Sequence, residues 1–260
     1  MTDPASSYPN TLFHYTSLDG FRGILESSII WATSIHHLND ASEYRYTLDL
    51  LEREVFSKTP GTPEFAFSAQ CRVYVGGPLA VTVYITAFSQ EKDQLSQWRA
   101  YSGGFGICLG FNREALSGCA GNQGYRLEVC IYDRASQVAI LQKLFSSALA
   151  ASPPDVKAFG RAFLRVAPTF KAPSFSEEVE WRLISLIPAS GALRFRTGKS
   201  MLVPYREVVL PQGHSSPIES VVIGPTPHPD AAGIAVALML AARELGSRPI
   251  WLSDIPYRSW

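Results

Sequence analysis

The chain of 260 residues carries no excess of charge: Lys plus Arg and Asp plus Glu number 23 each. No long-range field therefore steers it to nucleic acid, and any such contact has to come from a local patch. The four cysteines, Cys71, Cys108, Cys119 and Cys130, include no Cys-x-x-Cys pair and no histidine at finger-like spacing. That argues against a structural zinc site and for buried free thiols. His36 and His37 are adjacent, so on a strand they point to opposite faces and cannot easily chelate one ion. Also missing are the Gly-x-Gly-x-x-Gly fingerprint, the phosphate-binding Gly-x-x-x-x-Gly-Lys-Ser/Thr loop and the Gly-x-Ser-x-Gly elbow, which leaves P-loop enzymes and serine hydrolases without support. The most apolar helical stretch, residues 231–242, is shorter than the roughly 20 residues that cross a bilayer. Residues 1–10 lack the basic start and apolar run of a secretory signal. The expectation is a cytoplasmic protein with no membrane partner.

What is present is an ordinary globular composition, 46% apolar and 18% charged, enough for a sizeable core. Pattern and turn chemistry predict a strand at 12–16, a helix at 18–27 with Leu18, Phe21, Ile24 and Leu25 on one face, and a strand at 29–33. A helix at 42–55 follows, with Ser42 as its N-cap, and Pro60 to Pro63 interrupts the pattern. Strands are predicted at 80–88 and 104–111, pairing with each other, with a short helix around Trp98 between them. Further strands fall at 125–132, 181–187, 201–209, 218–223 and 249–252, and helices at 136–149, 154–170 and 230–246, the last capped by Asp230. No repeat or linker divides the chain, so a short tail at 1–10 and one mixed α/β domain at 11–260 are expected.

Polar side chains interrupt strand-like runs at three places. His14 sits between Phe13 and Tyr15, and alternation sends those two to one face and His14 with Leu12 to the other. A neutral imidazole there suits either a core histidine satisfied by backbone or a group that holds a ribose hydroxyl. Glu178 and Glu180, two apart, project to one side of a strand, where like charges raise at least one pKa unless a cation or hydroxyl lies between them. The plain alternative is a solvated strand edge with Arg182 as counter-ion. Trp98 and Tyr101 share a helix face, and the core reading is favoured for Trp98. Asn39 and Asp40 either close a turn or line a cleft, with Glu43 at the start of the next helix. Arg22 and Arg45 are candidates for a pyrophosphate group or members of a solvated helix face.

Taken together, Leu12-Phe13-His14-Tyr15-Thr16-Ser17, Leu38-Asn39-Asp40-Ala41-Ser42-Glu43, Gln97-Trp98-Arg99-Ala100-Tyr101-Ser102-Gly103-Gly104-Phe105, Phe175-Ser176-Glu177-Glu178-Val179-Glu180-Trp181-Arg182 and the ending from Ile223-Gly224-Pro225 to Ser253-Asp254-Ile255-Pro256-Tyr257 resemble the DUF2971 family. That resemblance implies kinship with ADP-ribosyltransferases of the His-Tyr-Glu type. The fold implied is a split, mostly antiparallel sheet with surrounding helices and a C-terminal strand-helix-strand addition. The activity implied is cleavage of NAD, the co-substrate, with transfer of ADP-ribose to an acceptor that is a protein, a nucleic acid or a small molecule, and no metal. Glu180 matches the carboxylate that grips the nicotinamide ribose and stabilises the oxocarbenium-like state, with Glu178 orienting the acceptor or supporting it. His14 matches the adenosine-side ribose contact. Tyr101 is favoured for stacking on nicotinamide, with Tyr15 as the alternative, and Thr16, Asn39, Asp40, Thr33 and Ser34 complete the implied cofactor contacts. A bacterial toxin or phage-defence effector is the implied setting. A non-catalytic binding module and NAD hydrolysis are the competing readings.

Overall fold

A computed structural model describes residues 8–38, 42–56, 58–76, 83–102, 105–185, 192–198 and 200–256. The chain opens with β1 (Thr11–Ser17), α1 (Leu18–Ser27) and β2 (Ile29–Ser34). The α1 helix forms where the apolar spacing predicted it: Phe21, Ile24 and Leu25 are buried, the Ser17 side chain accepts from the Gly20 N–H, and Ser28 ends the helix in the left-handed region at φ 54°. Burying three such side chains contributes about 1.5–3 kcal/mol each.

Helices α2 (Ser42–Leu50) and α3 (Pro63–Gly76) lead to β3 (Tyr84–Ser89), α4 (Leu95–Tyr101), β4 (Gly106–Asn112), α5 (Arg113–Gly121) and β5 (Tyr125–Val129). Next come α6 (Arg134–Leu149), α7 (Val156–Val166), a 3-10 turn at Pro173–Glu178, β6 (Glu180–Ser185), β7 (Arg194–Thr197), β8 (Leu202–Val209), β9 (Ile218–Ile223), α8 (Pro229–Ala241) and β10 (Ile250–Leu252). The architecture is the expected mixed α/β one, a mostly antiparallel sheet with surrounding helices and a closing strand-helix-strand unit.

The sheet runs β10-β9-β4-β1-β3-β2-β8-β7, with β6 and β5 attached through β3. Only β10 and β9 pair in parallel among these ladders. The predicted partnership of residues 80–88 with 104–111 is not formed: β1 lies between β3 and β4, because the seven-residue match of β1 to β4 runs from Thr11–Asn112 to Ser17–Gly106. Helices α3 and α5 and strand β7 were not anticipated. Asp230 does not cap α8; His228 stands at the cap and Pro229 takes the first helical position, where its missing N–H costs nothing.

Strand β3 is the branch point. One edge pairs with β6 from Ile85–Ile184 to Ser89–Glu180, while the other is shared by β1 at Phe13–Ser89 and by β2 at Thr33–Ile85 and Ser34–Tyr84. Between those two pairings β1 and β2 diverge and leave a gap beside Ala87. One face of the sheet carries the largest core, in which Leu12, Ile30, Phe111, Leu183 and Val221 meet α1, α5 and α8. On the other face, α2, α3, α6 and α7 bring Phe67, Phe145, Phe159 and Phe163 onto Ile85 and Ile184. Further along that face α4 sets Trp98 against Phe13, Tyr15, Cys108 and Val222. The gap lies between these two smaller cores.

Gly106 shows how tightly α4 is held. A methyl group there would sit 2.3 Å from Ser102 Cβ and 2.4 Å from the Thr16 carbonyl oxygen. Gly106→Ala is expected to destabilise by about 1–3 kcal/mol through overpacking. Gly23→Ala, in α1 with nothing within 4 Å of the new methyl group, should instead stabilise by about 0.5–1 kcal/mol. Urea unfolding of the two variants checks both signs.

Candidate active-site cleft

The gap in the sheet opens onto a cleft of about 50 Å³ lined by Phe13, His14, Tyr15, Ala87, Phe88, Ser89, Gln97, Tyr101, Glu178 and Glu180. Five residues singled out by sequence, His14, Tyr15, Tyr101, Glu178 and Glu180, meet here from three distant segments. A larger cavity of about 200 Å³ lies between the ends of α1 and α8, with Glu26, Arg243 and Glu244 as its charged lining, and it contains none of them.

The His14 ring fills the place where ladder bonding between β1 and β3 stops. Its Nδ1 lies 2.9 Å from the Ala87 carbonyl oxygen, which only accepts, so Nδ1 carries the proton. Nε2 is then an acceptor. Burial lowers the His14 pKa, and the bond to Ala87 opposes this only in part, so the ring is neutral at physiological pH. Such a group takes a hydrogen bond from a hydroxyl.

Tyr15 has a different occupation. Its hydroxyl donates to the Glu91 carbonyl at 2.7 Å and accepts from the Gln94 N–H at 3.0 Å, while its ring meets Trp98 edge-on. Burial drives its pKa up. Tyr15 therefore anchors the entry to α4 and also lines the cleft. Trp98 is fully buried, as the core reading expects, and its indole N–H donates to Asp93 at 2.6 Å. Tyr101, one turn of α4 further on, is half-buried and lines the cleft.

Glu178 and Glu180 do not project from one strand. Glu178 closes the 3-10 turn, Val179 follows in the left-handed region at φ 38°, and β6 begins only at Glu180. The kink nonetheless brings both carboxylates onto one cation. Lys171 Nζ donates to Glu178 Oε2 at 2.6 Å and also to Glu180 Oε2. Arg182 Nε donates to Glu180 Oε1 at 2.5 Å, and its Nη1 to the Pro168 carbonyl at 2.8 Å. Glu180, Lys171 and Arg182 are 4%, 2% and 1% exposed, which rules out a solvated strand edge. Burial by itself would raise the Glu180 pKa, but Arg182 and Lys171 together outweigh it and hold the carboxyl below its ordinary value. The carboxylate has about four lone-pair sites, so it keeps capacity for a further donor.

The other sequence candidates lie elsewhere. Thr33 and Ser34 belong to the β2 pairing with β3, where Ser34 is buried against His37, and neither lines the cleft. Thr16 supports α1, with its hydroxyl in the space that Gly20 leaves open. Arg22 is exposed beside Asp19, and Arg45 is exposed. Asn39, Asp40, Gly103 and Gly104 lie outside the described residues. Lys171, Gln97, Ser89 and Tyr132 were missed. Lys171 stands seven residues before Glu178 in an irregular segment, and Tyr132 receives the Glu180 backbone N–H at 2.8 Å. No local pattern marks either. Among the described residues no cluster suited to a metal ion occurs, and no helix is long and apolar enough to cross a membrane.

Residues 97–183 match the family described as "Protein of unknown function (DUF2971)", the family the sequence resembles; the match includes Tyr101, Lys171, Glu178, Glu180 and Arg182. No curated protein matches the chain. Among solved structures, that of Thermus sp. 2.9 DarT in complex with ADP-ribosylated single-stranded DNA is similar over 95% of each chain, with 13% identity and a TM-score of 0.36.

Acid should act on this cleft in two stages. The His14 pKa is depressed, so the unfolded chain binds its proton first, and stability falls as pH drops through 6.5. His36, also depressed, contributes in the same window. Glu180, likewise depressed, contributes stability that is complete above 4.5 and lost below it. Urea midpoints measured from pH 8 to pH 3 should show both steps, and His14→Gln should diminish the upper one alone.

Proposed function

We propose that the chain is an NAD-dependent ADP-ribosyltransferase. The observation that carries this reading is the convergence of His14, Tyr101, Glu178 and Glu180 on one cleft at the branch of the sheet. The family resemblance gives each of them a role at NAD. Nε2 of a neutral His14 accepts a ribose hydroxyl, Tyr101 stacks on the nicotinamide ring, and Glu180 accepts the 2′-hydroxyl of the nicotinamide ribose. As the C–N bond to nicotinamide breaks, positive charge develops on the ribose, and a fixed carboxylate stabilises it without having to reorient. Loss of nicotinamide leaves the ribose open to attack by an acceptor held beside Glu178.

The cleft is small against the roughly 300–1,000 Å³ of ordinary ligand pockets. It takes the nicotinamide ring and its ribose, the adenosine-side ribose meets the wall at His14, and the rest of NAD lies outside it. A bacterial toxin or phage-defence effector in the cytoplasm is the setting we propose.

One observation favours a second reading. Two cations already face the Glu180 carboxylate, which weakens its field at a developing cation. A module that binds NAD or a nucleotide without cleaving it fits that balance.

The test is nicotinamide release from NAD by the purified protein, with and without cell lysate, protein, single-stranded DNA or small-molecule acceptors. Wild type should release nicotinamide, and an acceptor that speeds release distinguishes transfer from hydrolysis. Glu180→Gln should lower release by at least about two orders of magnitude, the scale of losing one pre-placed charge-stabilising group. Removing one partner of a buried ion network costs about 3–5 kcal/mol, so Tyr101→Ala is tested in parallel, with the fold of each variant checked by circular dichroism. Saturable NAD binding with no release by folded wild type would favour the binding module.

A further inference from the structure

Lys171 reaches the cleft from the helical side of the molecule. Its N–H donates to the Ile131 carbonyl at 3.2 Å, and its own carbonyl accepts from Gln137 on α6 at 2.9 Å, beside the Ile131–Phe170 bridge. Its ammonium also lies 5.3 Å from the centre of the Phe175 ring. A lysine is compact and has three donors, so one head group serves two carboxylates that leave the chain on opposite sides of the Val179 kink.

We infer that Lys171 is a positioning residue for the cleft, whose shared ammonium keeps Glu178 and Glu180 ionised together and sets the distance between them. This rests on the reading of Glu180 as the carboxylate that acts on NAD. Two carboxylates brought close in a buried site cannot both stay charged without a cation between them, and one takes a proton at neutral pH or somewhat below. Arg182 works beside Lys171 from the strand side. It adds a second cation at Glu180, and its guanidinium also donates to the Pro168 carbonyl.

The other ionisable groups facing the network support the assignment. Glu128 lies opposite Arg182 on β5 and is engaged by Arg126 at 2.8 Å. The Tyr132 pKa is driven up by burial, so its hydroxyl stays neutral, and His14, Tyr15 and Tyr101 close the far side of the cleft. The Lys171 ammonium is bonded to both carboxylates, so its loss removes a shared counter-charge.

The test follows the glutamate carboxyl carbons of ¹³C-labelled full-length protein by NMR across pH, with resonances assigned through Glu178→Gln and Glu180→Gln. In Lys171→Met one of the two carboxyls should titrate at least about one pH unit higher than in wild type, and Lys171→Arg should reverse most of that shift. In Glu178→Gln, which removes one of the two carboxylates on Lys171, the Glu180 carboxyl should titrate lower than in wild type. Where Lys171→Met fails to fold, Lys171→Gln, which keeps a hydrogen-bond donor without the charge, decides the matter by the same upward shift. Unchanged carboxyl titrations in either variant would overturn the inference and reduce Lys171 to a structural filler, even if the melting temperature fell. Where nicotinamide release is measurable, the acid limb of its pH profile should move up with the carboxyl in Lys171→Met. If wild type releases none, the proposed activity fails while the NMR titration still decides the role of Lys171.

Discussion

The cleft depends on a buried exchange of charge. Glu180 is held by Lys171 and Arg182, with Glu178 sharing the lysine, so two negative and two positive groups balance within one desolvated site. Taking any of these ions out of water alone would cost several kcal/mol, which their mutual contacts and the Arg182 bond to the Pro168 carbonyl offset. A well-packed apolar cluster would stabilise the fold at least as well. A network buried this deeply at the branch of the sheet is therefore better explained by what it holds in place than by stability.

The network ties together parts of the molecule that differ in construction. Glu180 and Arg182 belong to β6, and Lys171 is delivered by the α6–α7 side. Across the sheet gap, His14 on β1 faces them with its tautomer fixed by Ala87. Strand β3 carries the arrangement, because it is paired to β6 along one edge and gives up pairing to β1 and β2 on the other. Where backbone pairing ends, side chains take over the hydrogen bonding, and the cleft is the space they leave. A ligand hydroxyl would meet an acceptor nitrogen on one side and a carboxylate on the other.

Much of this was legible in the sequence where one short segment sets both structure and exposure. Phe21, Ile24 and Leu25 announce α1, and residues 218–223 announce β9 to the residue. His14 stands out as polar between Phe13 and Tyr15, whereas Tyr101, Glu178 and Glu180 stand out through the resemblance of their segments to the family. The pairing of β1 with β4 was not legible, since it is fixed by partners about a hundred residues apart and displaces the simpler pairing of successive strands. The strand reading of Glu178 failed at Val179, a β-branched residue in a left-handed conformation that no propensity anticipates. Lys171 stayed hidden because an isolated lysine in an irregular segment looks like surface until the fold buries it.

The most direct test of the account is a crystal structure of Glu180→Gln soaked with NAD, in which slowed cleavage preserves the dinucleotide. The account predicts the nicotinamide ribose in the cleft, its hydroxyls within hydrogen-bond distance of residue 180, a ribose hydroxyl on His14 Nε2 and the nicotinamide ring against Tyr101. Electron density for NAD in the larger cavity between α1 and α8, with the cleft empty, would contradict it.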